Sequence, residues 1–393
     1  APDDRAGGDY TVTLLHLERI ATDPSDRVEQ LVAGYTDSDE PGVAIQVWRG
    51  GETLYSSAFG SANLAYEVPF ETDTPTNIGS TSKQFTAFAV LLLAERGELS
   101  LDDPVTEHIP ELKSFSDTVR VRNLINHTTG YREVYNLLLM TGRRIGEGDY
   151  VDRDEILAVV ARQPALQNAP GAEWNYNNTA FALASMVVER VSGMSYPEFM
   201  AQEVFGPLGM AGTRVRPHAE AVVEGRSMGY APDREGGYRE IRDLGAAVGA
   251  GGMYSTVEDL QRWVENYEDP QVGSQAMVDA MTTPTILTEG DTTDYGFGLF
   301  VDEQRGLRRV HHGGADIAHR SMLVWYPEID AGVTTQSNHA AFDSNVAFRI
   351  AEAFFDEAME PEEEETTTAE DWSEEGFEAE TFDDYVGRYA LDA

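Results

Sequence analysis

The chain has 393 residues and a formal net charge of −41, from 69 acidic against 28 basic residues. So large an excess of acid repels nucleic acids and anionic membrane surfaces, which excludes both as expected partners. The absence of cysteine excludes disulfides, thiolate metal sites and a cysteine nucleophile.

The first hundred residues predict an arm, a short helix, a hairpin and a buried helix. We expect residues 1–10 to form a flexible arm, followed by a helix in "DRVEQLVAGY". The two apolar runs of "GVAIQVWRGGETLYSSAFG" are split by two glycines, which is typical of a β-hairpin. Residues 81–97 are apolar on most faces and end at glycine, so they predict a buried helix.

The middle of the chain predicts helices and its end predicts strands. Residues 100–245 are mostly helical segments with proline and glycine breaks. Four strand-like pieces follow in "YGFGLFVDE", "LRRVHHGG", "SMLVWYPE" and "AGVTTQSN", and "NVAFRIAEAFFDEAM" is an amphipathic helix. Strands at both ends around a helical middle predict one sheet built from both termini, with a helical insertion. No apolar run is long enough to cross a membrane.

The last 36 residues differ in character from the rest. Residues 358–377 are acidic and poor in aliphatic side chains, which predicts a linker. Residues 378–393 recover some apolar pattern and predict the first strand of a further β-domain that is truncated or absent. The chain begins "APDD" without methionine, so a removed signal peptide and a trimmed chain both stay open. We expect export to an extracellular or periplasmic location.

The stretch "NIGSTSKQFTAF" holds Lys83, one of two lysines in the chain; the other is Lys113, and the remaining 26 bases are arginine. An acid excess with so few lysines is typical of adaptation to high salt, where screening weakens repulsion between acids. If a helix begins near Ser80, the Lys83 amine can approach the serine hydroxyl one turn away. A desolvated lysine can then act as the base that activates serine, which arginine cannot do. The alternative is a capped helix with an exposed first-turn lysine.

Two further stretches offer polar groups for catalysis. "EWNYNNTAF" places Tyr176 and Asn178 two residues apart. A tyrosine with a pKa lowered by flanking cations could move protons, and the asparagine amide could bind a substrate carbonyl; the alternative is an aromatic residue packing a helix N-terminus. "RRVHHGGAD" ends a strand with two histidines and two glycines, where a substrate could lie against bare backbone. The alternative there is a structural histidine.

Together the three stretches resemble the serine β-lactamase and penicillin-binding-protein superfamily. They are similar to its class C β-lactamase-related branch, which includes D-alanyl-D-alanine carboxypeptidases, D-aminopeptidases, class C β-lactamases and esterases. The resemblance runs from about residue 25 to 357 and includes "PGVAIQVWRGG", "VRNLINHTTGY" and "GAGGMYSTVEDLQRW". It implies an α/β (α+β) fold of the β-lactamase/transpeptidase-like type, with an antiparallel sheet flanked by helices and a catalytic domain over residues 11–357. The matching motifs are Ser-x-x-Lys at Ser80 and Lys83, Tyr-x-Asn at Tyr176 and Asn178, and His-x-Gly at His312 and Gly314.

The resemblance implies a catalytic role for three residues. Ser80 would be the acylated nucleophile, and Lys83 would accept its proton. Tyr176 would transfer protons to the leaving group and activate the deacylating water. A covalent acyl-enzyme with no metal or cofactor is therefore expected. "HTTG" around His127 resembles a turn that we interpret as structural.

The same resemblance implies a substrate-binding role for four residues. Asn178 would bind the substrate amide. His312 stands where many relatives carry the lysine of Lys-Thr-Gly, and Gly314 completes that motif. The backbone amides of Ser80 and Ala315 would form the oxyanion hole. His311 also precedes a glycine by two residues, but the spacing to "RSMLVWYPE" favours His312.

The third motif also bears on the substrate. β-Lactamases of this class usually carry Lys-Thr-Gly, whereas His-x-Gly resembles D-peptidases, D-aminopeptidases and esterases. A histidine that is only partly charged near neutral pH holds a carboxylate less firmly than lysine does. Ala318 and His319 also replace a glycine-aromatic pair that often lines this strand in relatives.

We therefore expect a small-molecule or peptide substrate and a hydrolase specific for D-amino-acid peptides, amides or esters. β-Lactam hydrolysis is the main alternative, and a penicillin-binding sensor without turnover is the alternative of another class. The sequence leaves the oligomeric state open.

Overall fold

The computed structural model describes residues 17–19, 21–112, 118–145, 149, 151–242, 247–361 and 389–391. The predicted arm, and nearly all of the predicted linker and closing segment, lie outside these residues. The strands are β1 Leu17–Arg19, β2 Val43–Arg49, β3 Glu52–Phe59, β4 Ser61–Asn63, β5 Val68–Pro69, β6 Thr76–Asn77, β7 Arg214–Val215, β8 Gly229–Pro232, β9 Tyr238–Ile241, β10 Met253–Ser255, β11 Phe300–Gln304, β12 Leu307–Ala315, β13 Arg320–Tyr326, β14 Ala331–Ser337 and β15 Tyr389–Leu391.

The helices are concentrated between the two groups of long strands. In the described residues they are α1 Pro24–Leu31, α2 Lys83–Glu95, α3 Val105–His108, α4 Val121–Ile125, α5 Val134–Met140, α6 Arg153–Ala161, α7 Asn178–Ser192, α8 Tyr196–Met200, α9 Val257–Glu268, α10 Gln275–Met281 and α11 Val346–Phe355.

The central sheet has six antiparallel strands in the order β11-β12-β13-β14-β2-β3. The strands β2 and β3 come from the start of the described chain and the other four from its end, so the prediction of one sheet built from both termini is confirmed. Gly50 and Gly51 join β2 to β3 with positive φ angles of 59° and 74°, which glycine adopts without steric cost. The four strands predicted after residue 294 are all present.

Helices cover both faces of the sheet. Along β2, Val43, Ile45 and Val47 pack in the same cluster as α1 and α11, whereas Trp48 packs in the cluster that contains α2, α7 and α9. Alternate side chains of a strand point to opposite faces, so a strand buried on both sides must be apolar at nearly every position. The burial of the first six residues of β2 shows this pattern. The expected antiparallel sheet flanked by helices is confirmed.

The described part of residues 100–245, which were predicted to be mostly helical, contains α3 to α8 and three short strands, β7 to β9. Its helix α7 lies against α2 within the larger hydrophobic cluster. Because α2 carries the predicted lysine and α7 begins with the predicted asparagine, this packing brings the first two motifs together. A small sheet, β6-β10-β7, runs beside the start of α2. Separately, β1 pairs antiparallel with β15.

Candidate active site

The predicted nucleophile lies in a tight turn that is pressed against β12. Ser80 belongs to a 3-10 turn, Gly79–Ser82, and α2 starts only after it. A Cβ on Gly79 would lie 2.7 Å from the Ala315 backbone nitrogen, and the φ of Gly79 is 49°, so this approach requires glycine. The Thr81 hydroxyl donates to the His312 carbonyl at 3.0 Å. These contacts fix Ser80 beside the third motif.

Lys83 is fully buried and its amine makes three short contacts. Its Nζ lies 2.9 Å from Ser80 Oγ, 2.8 Å from Asn178 Oδ1 and 2.8 Å from the Ala250 carbonyl oxygen. Burial lowers the pKa of Lys83 to about 7, although the charge of Glu133 raises it. Near neutral pH a large fraction of the amine is therefore unprotonated and able to accept the Ser80 proton.

Glu133 is a site residue that the sequence analysis missed. Its carboxylate accepts hydrogen bonds from the Asn178 backbone amide at 2.6 Å and from Asn178 Nδ2 at 3.2 Å. Asn178 begins α7, and a carboxylate suits the unpaired amides at a helix N-terminus. These bonds leave Asn178 Oδ1 toward Lys83 and one Nδ2 proton for a substrate carbonyl. The sequence offers no signal for Glu133 because 45 residues separate it from Asn178.

Tyr176 faces Lys83 across an aromatic pocket. Lys83 Nζ lies 4.7 Å from the centre of the Tyr176 ring. The centres of the His127 and Tyr176 rings are 4.4 Å apart. Burial raises the pKa of the Tyr176 phenol, more than its hydrogen bond with the Ser80 side chain lowers it. The prediction of a lowered pKa was wrong, because its neighbours are aromatic rings and a partly neutral lysine instead of fixed cations.

His312 is buried behind Tyr176, with 2% of its surface exposed. Its Nδ1 lies 2.6 Å from the Gly313 carbonyl oxygen and donates to it, so Nε2 accepts from the Tyr295 hydroxyl at 3.2 Å. Burial, followed by the charge of Lys83, lowers the pKa of His312 to about 3. The ring is therefore neutral, and the expectation of a partial charge near neutral pH was wrong.

His311 points to the other face of β12. Its Nε2 lies 3.3 Å from Asp302 Oδ2, and its ring stacks on Phe300 with centres 5.4 Å apart. Arg309 donates to the same carboxylate at 2.8 Å. The geometry therefore puts His312, not His311, on the side of Ser80, as the predicted register requires.

A cavity of about 220 Å³ opens in front of Ser80. Of the predicted site residues, Ser80, Asn178 and Ala315 line it, whereas Lys83 and His312 are buried. Gly314 lies beside this cavity, where a Cβ would come 1.9 Å from the Ile78 carbonyl oxygen. The full lining is Gly79, Ser80, Tyr135, Asn178, Ala247, Ala250, Gly251, Gly252, Ala315 and Asp316.

Asp316 contributes a carboxylate to the cavity wall and was also missed. It accepts from Asn77 Nδ2 at 2.6 Å and from the Ile317 amide at 2.6 Å. Asn77 Oδ1 in turn accepts from the Gly79 amide at 2.9 Å, which links Asp316 to the 3-10 turn that holds Ser80. Among the described residues that line the cavity, Asp316 is the one with a carboxylate side chain.

The described part of the chain contains no cluster of three or more histidine, aspartate or glutamate side chains suited to a metal ion. In the same residues, no helix has the length and hydrophobicity needed to span a bilayer.

Comparison with known proteins agrees with this arrangement. A D-aminopeptidase of Gluconobacter oxydans (strain 621H) is 27% identical over 322 residues, which are 82% of this chain and 60% of that protein. The octameric penicillin-binding protein homologue from Pyrococcus abyssi is 26% identical with a TM-score of 0.74, over 87% of this chain and 78% of that one. A D-stereospecific amidohydrolase from Streptomyces sp. is 26% identical with a TM-score of 0.69, over 84% and 97%.

The matches to curated relatives cover most of this chain but a smaller share of each relative. The chain spans 52% to 63% of the length of the first curated relatives. A family model described as Beta-lactamase, however, matches residues 26–354 of the 393. This match, together with the shared fold, shows that the chain belongs to the Beta-lactamase family.

Proposed function

We propose that the chain is a serine hydrolase that forms an acyl-enzyme at Ser80 and acts on D-amino-acid amides, peptides or esters. One observation carries the proposal: the fully buried Lys83 amine, with a pKa near 7, lies 2.9 Å from Ser80 Oγ. A serine paired with such a base is the arrangement that nucleophilic catalysis needs. The names D-aminopeptidase and D-stereospecific amidohydrolase among its relatives support the substrate class.

In acylation, Ser80 Oγ attacks the substrate carbonyl carbon while its proton passes to neutral Lys83. The negative charge that develops on the carbonyl oxygen would be held by the backbone amides of Ser80 and Ala315. Collapse of the tetrahedral intermediate breaks the carbon–nitrogen bond of an amide. The leaving nitrogen takes a proton from the Tyr176 phenol, which Lys83 then restores.

In deacylation, a water molecule attacks the acyl carbon and its proton passes to neutral Lys83, either directly or through the Tyr176 phenol, which gives its own proton to Lys83 as it takes the proton of water. The bond to Ser80 Oγ breaks, the oxygen regains a proton, and a free acid leaves. The raised pKa of Tyr176 makes the resting phenol neutral, so the residue relays protons and does not rest as a phenolate.

The charge state of His312 disfavours a substrate that is held by its carboxylate. Neutral His312 supplies no fixed positive charge for a substrate carboxylate. The Asp316 carboxylate also lies at the cavity wall, close enough to the Arg320 guanidinium that, although burial lowers the pKa of Arg320, the Asp316 charge raises it. An acyl group without a carboxylate therefore fits this site better than a β-lactam does, because its binding does not need a positive charge at His312.

A turnover panel in molar salt tests the proposal. Wild type and Ser80→Ala are assayed with D-alanine p-nitroanilide, L-alanine p-nitroanilide, p-nitrophenyl butyrate and nitrocefin. We expect turnover of the D-anilide, little with its L-enantiomer, and none by the variant. Preferred turnover of nitrocefin supports the β-lactamase alternative. A stable penicilloyl adduct on Ser80 without turnover of any substrate supports the sensor alternative, and a folded protein with neither adduct nor turnover refutes the serine assignment.

A further inference from the structure

His127 lies in the turn after α4, where its backbone adopts an unusual conformation. Its φ is 63°, in the left-handed region that residues with a Cβ rarely adopt. The residue is 1% exposed. Such a conformation persists where the surroundings fix it, and it concentrates at functional sites. The contacts of His127 show which function this conformation could serve.

The residues directly before and after Tyr176 each donate a backbone hydrogen bond to His127. The Asn175 amide donates to the His127 carbonyl oxygen at 2.9 Å, and the Asn177 amide donates to His127 Nδ1 at 3.0 Å. The His127 and Tyr176 rings also pack with their centres 4.4 Å apart and a tilt of 38°. One residue thus holds the backbone before Tyr176, the backbone after it and one face of its ring.

The hydrogen bond from the Asn177 amide requires a neutral His127 imidazole. Because Nδ1 accepts from Asn177, the ring proton is on Nε2, which is buried and has no hydrogen-bond partner among the described residues. Burial, and then the charge of Lys83, hold the pKa of His127 well below its ordinary value. A protonated ring would carry a proton on Nδ1 and lose the bond to Asn177.

We propose that His127 is a positioning residue that sets the Tyr176 phenol against Ser80 Oγ and Lys83 Nζ, and that it acts on turnover only through Tyr176. The inference rests on the proposed function, in which Tyr176 moves protons. A displacement of about 1 Å can cost roughly 10²-fold in rate. The loss should fall on kcat more than on KM, because His127 is not among the residues that line the cavity.

Two substitutions distinguish the hydrogen bond from Asn177 to His127 Nδ1 from the ring packing of His127 on Tyr176. His127→Ala removes the acceptor, whereas His127→Asn puts an amide oxygen near the Nδ1 position and tolerates the left-handed backbone. We expect His127→Ala to lower kcat roughly 10²-fold with KM changed little, and His127→Asn to recover most of that loss. His339→Ala is the matched control: it is a buried histidine outside the cavity whose Nδ1 accepts from the Ala341 amide at 2.9 Å. Its kcat should equal that of wild type.

A double-mutant cycle with Tyr176→Phe decides whether His127 acts through Tyr176. In that background His127→Ala should cause no further loss, whereas a structural role gives the same loss in both backgrounds. The inference is overturned by an additive loss, by an unaffected His127→Ala, or by a folded His127→Asn without recovery.

If His127→Ala does not fold, the cycle is run with His127→Gln, whose amide reaches the Nε2 position instead of Nδ1. A loss that persists without the Tyr176 hydroxyl again overturns the inference. A wild type without turnover refutes the proposed function itself, and an active wild type with an unaffected His127→Ala refutes this inference alone.

Discussion

The two faces of β12 carry neighbouring histidines in opposite electrostatic surroundings. His311 lies with Asp302 and Arg309 in a charged cluster, whereas His312 lies among aromatic rings with a pKa near 3. On the site face, Lys83 is likewise only partly charged at neutral pH. In a chain with a net charge of −41, the groups around Ser80 are therefore a neutral histidine and a partly protonated lysine, with the Glu133 carboxylate nearby. Burial, more than residue type, therefore decides the charge state of His312 and of Lys83.

The largest test of this contrast introduces a fixed charge on the site face with Lys83→Arg. The guanidinium stays protonated and cannot accept the Ser80 proton, so kcat/KM should fall roughly 10²–10⁴-fold, as for loss of a general base. Lys113→Arg, at the only other lysine in the sequence, is the control and should retain full activity. Comparable activity of Lys83→Arg and wild type would contradict the role of Lys83 as base.

A smaller change removes the negative charge beside Lys83 with Glu133→Gln. Glu133 raises the pKa of Lys83, so its loss should lower that pKa further. The amine must be unprotonated to act, so wild-type kcat/KM should rise through about pH 7, and this acidic limb should move to lower pH in the variant. The measurement is the pH profile of kcat/KM. The exposed Glu357→Gln, whose carboxylate pairs with Arg49 at 3.3 Å, should leave the limb in place.

On the opposite face, Asp302→Asn should affect stability and leave catalysis unchanged. Although burial raises the pKa of Asp302, hydrogen bonds from Arg309 and His311 hold it well below its ordinary value. The stability that this depressed pKa contributes is present above its ordinary value and is lost as the pH falls through the folded value. We expect a loss of about 1–2 kcal/mol at pH 7 that shrinks in acid, measured by denaturant unfolding. A large loss of kcat would show that the two faces are coupled.

The smallest expected effect concerns the acidic surface, whose response to salt we compare with that of the buried Lys83. Raising the salt from about 0.1 to 1 M shortens the screening length from roughly 10 to 3 Å. Repulsion among the surface acids should weaken, so Tm should rise by several degrees, while the pH limb of the buried Lys83 should move little. Sucrose at matched osmolality is the control. An unchanged Tm in salt would contradict the expectation of adaptation to high salt.

The sequence allowed the local elements and the three motifs to be predicted, because both depend on short spacings. The two apolar runs on either side of Gly50 and Gly51, which form β2 and β3, and the apolar run of α2 are examples. The 3-10 turn before Lys83 was not foreseen, since it results from contact with β12. Glu133 could not be found either, because its partner lies in a different helix. The neutral state of His312 depends on burial that only the folded chain creates.

The sheet built from both ends of the chain has a consequence for biosynthesis. In sequence, 231 residues separate Thr81 from its hydrogen-bond partner His312 on β12. At ribosomal speeds of roughly 5–20 residues per second, β12 is synthesised on the order of ten to fifty seconds after the turn Gly79–Ser82. A nascent chain in which β12 is not yet made thus has Ser80 but lacks the Ala315 amide of the proposed oxyanion hole. Under the proposed mechanism, acylation of Ser80 would therefore become possible only after β12 has been synthesised and has packed against the turn that holds Ser80.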